Sequence, residues 1–387
     1  MNKIKIGVAG AGTMGSGIAQ LAATFGHETF LYDAYPQALE KAAENHKNIL
    51  TRLEEKGKLS EEEKNQILKR IHYSDNIEDF HGCGLIIEAI VENTELKQDL
   101  FRTLESLIDK NAILATNTSS LSVTSIGGTL KHQERFLGLH FFNPAPLMPL
   151  VEIIPSIATH QKYLKQAKDI VESWGKTTVI AKDTPGFIVN KVARPFYGES
   201  LRIYEEGLAT FAEIDKSMKK LGGFKMGPFE LMDFIGNDIN YKVTESVFEA
   251  FYFDPRYKPS FTQKRMVEAG RLGRKTGIGY YDYSKPDALE VIEKAIPKQF
   301  VFERILFMLI NEAADTLFWN IASAKDIDIA VTKGVNYPKG LLSWADSLGL
   351  EKIRDGLDLL YDKYREDRYR CCPLIREMAQ KGKNFFK

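Results

Sequence analysis

The stretch 4–15, reading Ile-Lys-Ile-Gly-Val-Ala-Gly-Ala-Gly-Thr-Met-Gly, limits what this chain can fold into more than any other. A short apolar run with β-branched Ile4, Ile6 and Val8 meets three glycines spaced G-x-G-x-x-G, namely Gly10, Gly12 and Gly15. A helical pattern follows at once through Ile18, Leu21, Ala22 and Phe25. That order is strand, tight turn, helix. Gly10 permits the turn, Gly12 lets a pyrophosphate come up to the backbone, and Gly15 lets the helix pack closely on the strand. Free N–H groups at the helix start, around Thr13 and Met14, and the positive end of the helix dipole then face an anion.

Glycines at this spacing also occur in turns that bind nothing, so the context decides. A second strand is expected over 28–33, Glu-Thr-Phe-Leu-Tyr-Asp, ending in an acid 18 residues after Gly15. A carboxylate there accepts both ribose hydroxyls of an adenosine. Ala34, Tyr35 and Pro36 follow, with no Arg or Lys to meet a 2′-phosphate, so Asp33 favours NAD over NADP.

At 387 residues the chain has room for two or three domains with sizeable cores. Its 52 basic and 52 acidic residues cancel, so no general affinity for nucleic acid or an anionic membrane is expected. Cys83 and the adjacent Cys371 and Cys372 form neither a disulfide framework nor a metal-ligand spacing, which fits a reducing cytoplasm. The apolar runs are too short or too charged to span a bilayer, and a first strand at residue 3 or 4 leaves no room for a signal peptide.

Beyond Asp33 the pattern predicts a long charged helix from Pro36 to about Lys56 and a second helix that Ser60 and Glu63 start as a capping box. Strands are expected at 71–74, 84–90, 112–116, 136–142, 150–154 and 177–180, with helices between, notably through Leu96, Leu100, Leu104 and Leu107 and over 160–174. This alternation predicts a Rossmann-type, doubly wound and mainly parallel sheet over 1–184. Two tandem all-α domains follow, 185–284 and 297–387, with a linker around Ser284 to Pro286. The two look like copies. Adding 113 carries Phe187 to Phe300, Glu199 to Glu312, Ile214 and Asp215 to Ile327 and Asp328, Gly227 to Gly340 and Gly236 to Gly349, without a gap. Pro195, inside the leading helical pattern of the first copy, cannot bond to the carbonyl of Lys191 and predicts a kink.

Polar residues cluster just past strand ends at Thr116 to Leu121 and at His140 to Pro144, where open α/β sheets bind ligands. His140 and Glu152 flank a Pro-rich loop and lie an even 12 residues apart, so pairing as a hairpin puts both side chains on one face. A carboxylate on one imidazole nitrogen fixes the tautomer and raises the basicity of the other, which suits removal of a proton from an alcohol. A core histidine beside an ordinary surface acid is the other reading of the same pair.

These residues fall into motifs. Gly10-Ala-Gly-Thr-Met-Gly15, Glu88-Ala-Ile-Val-Glu92 with Lys97, Asn117-Thr-Ser-Ser120, His140-Phe-Phe-Asn-Pro144, Gly186-Phe-Ile-Val-Asn190, Met226-Gly-Pro228 and Gly273-Arg-Lys-Thr-Gly277 occur in this order in the L-3-hydroxyacyl-CoA dehydrogenases. The chain resembles that family over about residues 3 to 283, and more loosely over the repeat beyond. The resemblance implies His140 as general base and Glu152 as its partner, with Ser119 and Asn190 beside the substrate in a cleft between domains. It also implies Glu92, Lys97 and Asn143 near the cofactor and Lys275 at its far side. Taken alone, each of these four is equally a solvated charge or a turn residue, and Ser119 and Asn190 read as a Ser-rich turn and a helix start.

The implied activity is NAD-dependent interconversion of (S)-3-hydroxyacyl-CoA and 3-oxoacyl-CoA, with short chains such as 3-hydroxybutyryl favoured. Relatives acting on a free hydroxy or sugar acid, and non-catalytic nucleotide-binding relatives, share parts of the pattern. The second helical copy carries Glu303 in place of Asn190 and Gln299 in place of Gly186, so no second active site is expected. A chain with both copies satisfies internally the surface that short family members bury in a dimer, so a monomer with an internal pseudo-dimer is expected, a homodimer being the alternative. The CoA adenosine is expected against the helical pair at 36–71, where Lys47 and other bases are available.

Overall fold

The strand expected at the glycine-rich stretch forms at Lys5–Ala9 (β1) and lies inside an eight-stranded sheet. This computed structural model describes residues 3–284 and 298–386. Contacts divide the chain into two units, residues 1–184 and 185–387. In the first, β1 is followed by α1 (Thr13–Thr24), β2 (Thr29–Tyr32), α2 (Pro36–Glu55), α3 (Glu61–Lys69) and β3 (Ile71–Ser74). Then come β4 (Cys83–Glu88), α4 (Thr94–Leu107), β5 (Ile113–Thr116), α5 (Val123–Gly127), β6 (Phe136–Phe141), β7 (Leu150–Pro155), α6 (Gln161–Ser173) and β8 (Thr177–Ile180).

The sheet order is β3-β2-β1-β4-β5-β6-β7-β8, and β1 to β6 are parallel. β7 runs antiparallel to β6, and β8 is parallel to β7. Strand order reverses between β1 and β4, the place where open sheets of this kind hold ligands at their carboxyl ends. The central strands read as nearly continuous apolar runs because both faces are covered. All four residues of β5 are buried. Ile6, Val8, Ile18, Leu21, Leu31, Leu85, Ile87, Leu137 and Ile153 share one core, each such side chain contributing about 1.5–3 kcal/mol by its burial. Ser60 and Glu63 close the expected capping box at the start of α3.

The second unit is helical: α7 (Val189–Val192), α8 (Arg194–Glu205), α9 (Phe211–Gly222), α10 (Pro228–Ile235), α11 (Asn237–Ala250) and α12 (Phe261–Glu268). The series then repeats as α13 (Lys298–Phe318), α14 (Ala324–Gly334), α15 (Leu341–Leu348), α16 (Leu350–Tyr364) and α17 (Pro373–Gln380). The linker expected at 284–286 lies, beyond Ser284, outside the described residues. The leading helix of the first copy breaks at Ala193, between α7 and α8, as Pro195 requires. α13 runs unbroken through the same positions, with Met308 where the first copy has the proline. Among the described residues no helix is long and apolar enough to cross a membrane.

Equivalent residues do equivalent work in the two copies. Asp215 accepts from the N–H groups of Phe229 and Glu230 at the start of α10, both at 2.9 Å. Asp328 accepts from Leu342 and Ser343 at the start of α15, at 2.8 and 2.9 Å. The copies are joined reciprocally. Glu312 of the second accepts from Lys191 and Tyr257 of the first. Glu199 of the first accepts from Arg304 at 2.5 Å and Tyr369 at 2.8 Å in the second. Lys191 and Arg304 are equivalent under the 113-residue offset, as are Glu199 and Glu312. This is the i-to-j, j-to-i pattern of a two-fold interface, written within one chain.

Candidate active site

The glycine loop meets three separate steric demands. Gly10 has φ +104°, and a Cβ there would lie 2.6 Å from the carbonyl oxygen of Ala89. One on Gly15 would lie 1.8 Å from the carbonyl oxygen of Gly10, so helix and turn could not close. A Cβ on Gly12 would meet nothing within 4 Å. The first two glycines are required by the protein itself, whereas Gly12 faces open space with Thr13, at the start of a helix whose N-terminus no side chain caps. Uncapped N–H groups there suit a phosphate. Met14 is half-buried and packs its side chain against the core.

Asp33 follows the carboxyl end of β2. Its Oδ2 accepts from the N–H of Ala11 at 2.7 Å and its Oδ1 from that of Tyr35 at 3.0 Å. Each oxygen keeps a second lone-pair direction, enough for two ribose hydroxyls. The glycine loop, the bare helix start and this carboxylate together fit NAD.

β6 and β7 pair with His140 directly opposite Glu152. Both are buried, at 5 % and 0 % exposure, and His140 Nδ1 lies 2.7 Å from Glu152 Oε2. The hairpin parity expected from the 12-residue spacing therefore brings the two together. Asn117, just past β5, accepts from the N–H of Phe141 at 2.9 Å and ties the serine turn to the end of the histidine strand.

Glu92 organises the turn that carries Ser119. Its Oε1 accepts from Thr118 Oγ1 at 2.5 Å, from the Ser119 N–H at 3.0 Å and from Ser120 Oγ at 3.1 Å. Lys97 is 1 % exposed, with its ammonium shared between Glu88 and, at 3.2 Å, Glu92. Burial pushes the Glu88 carboxyl up, while Lys97, Thr116 and the Ile90 N–H pull it back. Partial desolvation pushes the Glu92 carboxyl, 37 % exposed, up as well, yet Lys97 and the turn's donors bring it below the usual carboxylate range. The pair thus reaches the serine turn through hydrogen bonds, with Lys97 itself enclosed.

Asn143 is exposed and shares with Gly12, Thr13, Lys41 and Arg52 the lining of a cavity of about 650 Å³ between α1, α2 and the loop after β6. That loop is anchored by Lys176, whose ammonium donates to the carbonyls of Ala145 at 2.6 Å, Pro146 at 3.3 Å and Met148 at 2.7 Å. Asn190 and Lys275 belong to the second unit. Asn190 sits half-buried in α7, and its carbonyl accepts from Arg194 Nε at 2.9 Å. Lys275 lies in the turn 273–277 and pairs with both oxygens of Asp238 at 2.6 Å.

Sequence reasoning missed Asn117 as a tie, Glu88 as the partner of Lys97, Lys176 as the loop anchor, and Arg194. The first two lie inside motifs that were singled out, so a signal existed. Lys176 and Arg194 carry none, since the loop carbonyls that Lys176 holds and the Thr244 hydroxyl that Arg194 reaches are distant in sequence.

The chain is similar to known proteins over nearly its whole length. Residues 5–184 match the family model of the 3-hydroxyacyl-CoA dehydrogenase NAD-binding domain. The model of the C-terminal domain of the same family matches twice, at 186–283 and 300–385. A 3-hydroxyadipyl-CoA dehydrogenase of Escherichia coli K12 is 36 % identical over 98 % of both chains. A probable 3-hydroxybutyryl-CoA dehydrogenase of Bacillus subtilis is 40 % identical over 73 % of this chain and 98 % of its own. The crystal structure of a 3-hydroxybutyryl-CoA dehydrogenase from Escherichia coli K12 superposes with a TM-score of 0.94 at 35 % identity, covering 98 % of this chain and 99 % of the other. This chain belongs to the 3-hydroxyacyl-CoA dehydrogenase family and is an NAD-dependent enzyme of that family.

Proposed function

We propose that the chain oxidises short (S)-3-hydroxyacyl-CoA thioesters, and reduces the 3-oxo product in the reverse direction, with His140 as the general base. The buried His140–Glu152 pair carries this reading. Bound NAD supplies the acceptor for the hydride that leaves C3. His140 Nε2 takes the hydroxyl proton, and the imidazolium that results is stabilised by Glu152 through Nδ1. Ser119, presented by the turn that Glu92 organises, donates to the substrate oxygen. Asn190 holds the oxygen or the thioester and fixes the reacting carbon in place. Gly12, Thr13 and Asp33 bind the cofactor, and Lys97 acts through Glu92. Asn143 and Lys275 contribute at the cofactor's two sides.

A thioester rather than a free acid is favoured by the cavity beside α2, which offers the cations of Lys41 and Arg52 to the phosphates of CoA. Relatives named for 3-hydroxybutyryl and 3-hydroxyadipyl thioesters support a short acyl chain. The reciprocal bonds between the helical copies take the place of a subunit interface, so the chain is a monomer. Light scattering at the mass of one chain supports this, and a dimer joined through residues 185–284 overturns it.

The deciding assay follows NADH with acetoacetyl-CoA for the wild type and for His140→Gln. Turnover falls about 10²- to 10⁴-fold in the variant while NADH affinity stays near the wild-type value. Unchanged turnover removes His140 from the reaction.

A further inference from the structure

Arg194, on the first turn of α8, is 7 % exposed, yet among the described residues the charged or titratable groups it feels are two phenols, Tyr197 and Tyr337, and no carboxylate. Its guanidinium lies 4.9 Å from the Tyr197 ring centroid. Nε donates to the Asn190 carbonyl at 2.9 Å and Nη1 to Thr244 Oγ1 at 3.2 Å. The remaining nitrogen has no protein acceptor among the described residues. The Tyr337 hydroxyl, on a side chain 5 % exposed, likewise has no hydrogen-bond partner there. Burial lowers the Arg194 pKa, and the two phenols oppose this only in part. A buried cation without an anion is expensive, by several kcal/mol per ion.

The second copy shows that the fold does not require this arrangement. At the positions of Arg194 and Tyr197 it carries Phe307 and Ile310, both buried. Around Arg194 the first copy buries a chain of polar groups: Gln263 Nε2 donates to Asn240 Oδ1 at 2.7 Å and to Thr244 Oγ1 at 3.3 Å. The equivalent helices α16 and α17 close with Ile353, Leu357 and Ile375, all at 0 % exposure. Gly198, one turn beyond Arg194, has no heavy atom within 4 Å of where a Cβ would stand, so space remains along this strip. The second copy fills the same place with Asn311, buried and bonded to the backbone of Arg370 and Cys372.

We propose that Arg194, assisted by Tyr197 and Tyr337, receives a carboxylate at the far end of the acyl chain, so that the preferred substrates are 3-hydroxyacyl-CoA thioesters of dicarboxylic acids. The proposal rests on the reading of Asn190 as the residue beside the reacting carbon. Arg194 lies four residues beyond Asn190, across the break at Ala193, with its Nε 2.9 Å from the Asn190 carbonyl, a placement within reach of the short span from C3 to the terminal carboxyl of an adipyl chain. A guanidinium fork matches a carboxylate with two parallel donors, and the phenol hydroxyl supplies a further one. The arrangement is a specificity device: it leaves the hydride and proton steps untouched and selects the tail.

The test compares kcat/KM for 3-hydroxyadipyl-CoA and 3-hydroxyhexanoyl-CoA, equal in length and differing in the carboxylate. The wild type prefers the dicarboxylate by about 30-fold or more. In Arg194→Met that ratio collapses toward one, Arg194→Lys recovers part of it, and Tyr337→Phe lowers it several-fold. Calorimetric affinities for adipyl-CoA and hexanoyl-CoA, which lack the reacting hydroxyl, move in parallel and separate tail binding from chemistry. A wild type that oxidises both equally, or an Arg194→Met that keeps the ratio, overturns the proposal and leaves the dehydrogenase reading standing. Oxidation of neither overturns the dehydrogenase reading instead. If Arg194→Met does not fold, the wild-type ratio and the Lys and Phe variants decide.

Discussion

The two helical copies share one frame and differ where a ligand would touch it. Both place an aspartate under the next helix, Asp215 and Asp328, and both offer a cation and a glutamate to the other copy. Along the leading helix, however, the first copy presents Asn190, Arg194 and Gly198 where the second has Glu303, Phe307 and Asn311. Glu303 is taken up by Lys352 at 2.6 Å and Gln299 at 2.8 Å. The frame is therefore satisfied by apolar packing and internal pairs, as the second copy is. The first keeps a broken helix and a buried polar cluster, departures from local consistency that the proposed site accounts for.

The largest effect should come from the bonds that make the copies reciprocal. Lys191→Met takes the buried ammonium from Glu312 and Asp315, leaving them Arg256 and Tyr257, and Arg304→Met takes the guanidinium from Glu199 and Glu206, leaving them Tyr369 and Tyr364. Each substitution is expected to destabilise by about 3–5 kcal/mol, and by similar amounts, in urea unfolding. A large loss from one and none from the other would break the two-fold reading of this interface.

Giving the first copy the core of the second sharpens the contrast. Arg194→Phe, Asn240→Ile, Thr244→Leu and Gln263→Ile together replace a buried polar cluster by the apolar set at equivalent positions. Stability should rise by about 1–4 kcal/mol, with the preference for a carboxylate tail lost. A marked fall in thermal midpoint would show that the polar cluster holds the first copy together.

The smallest effect separates the units. All seven histidines lie in residues 1–184. Burial holds the His46 imidazole below its ordinary value of 6.5, against a hydrogen bond with Ser16 that works the other way. The unfolded chain then binds a proton that the folded chain refuses. The stability contributed by neutral His46 is present above pH 6.5 and falls as pH drops below it, by at most about 1.4 kcal/mol per pH unit. Thermal midpoints between pH 5 and 8 should slope less in His46→Gln than in the wild type; equal slopes would remove His46 as a source of acid sensitivity.

Local rules made much of this legible. Glycine spacing and a following acid are short-range signals, and the strand-turn-helix at 4–25 forms where they put it. The pairing of His140 with Glu152 followed from strand parity alone. What stayed hidden depends on tertiary contact. Lys97 reads as an exposed helix-start charge, yet it is enclosed because Glu88 and Glu92 converge on it from the end of β4 and the segment beyond. The cluster of Arg194, Thr244 and Gln263 joins residues from three helices. The repeat also runs further than a constant offset reveals. After α11 the second copy is one residue shorter, so Asp254, Arg256 and Tyr257 correspond to Glu366, Arg368 and Tyr369, with the same internal pairing.

Division of labour between the copies is tested most directly by kcat/KM for one 3-hydroxyacyl-CoA, measured side by side for Asn190→Ala and Glu303→Ala. Removal of the Asn190 amide should lower it about 10²-fold with NADH affinity retained, while Glu303→Ala matches the wild type. Equal losses in both, or full activity in Asn190→Ala, would contradict a single substrate-bearing copy.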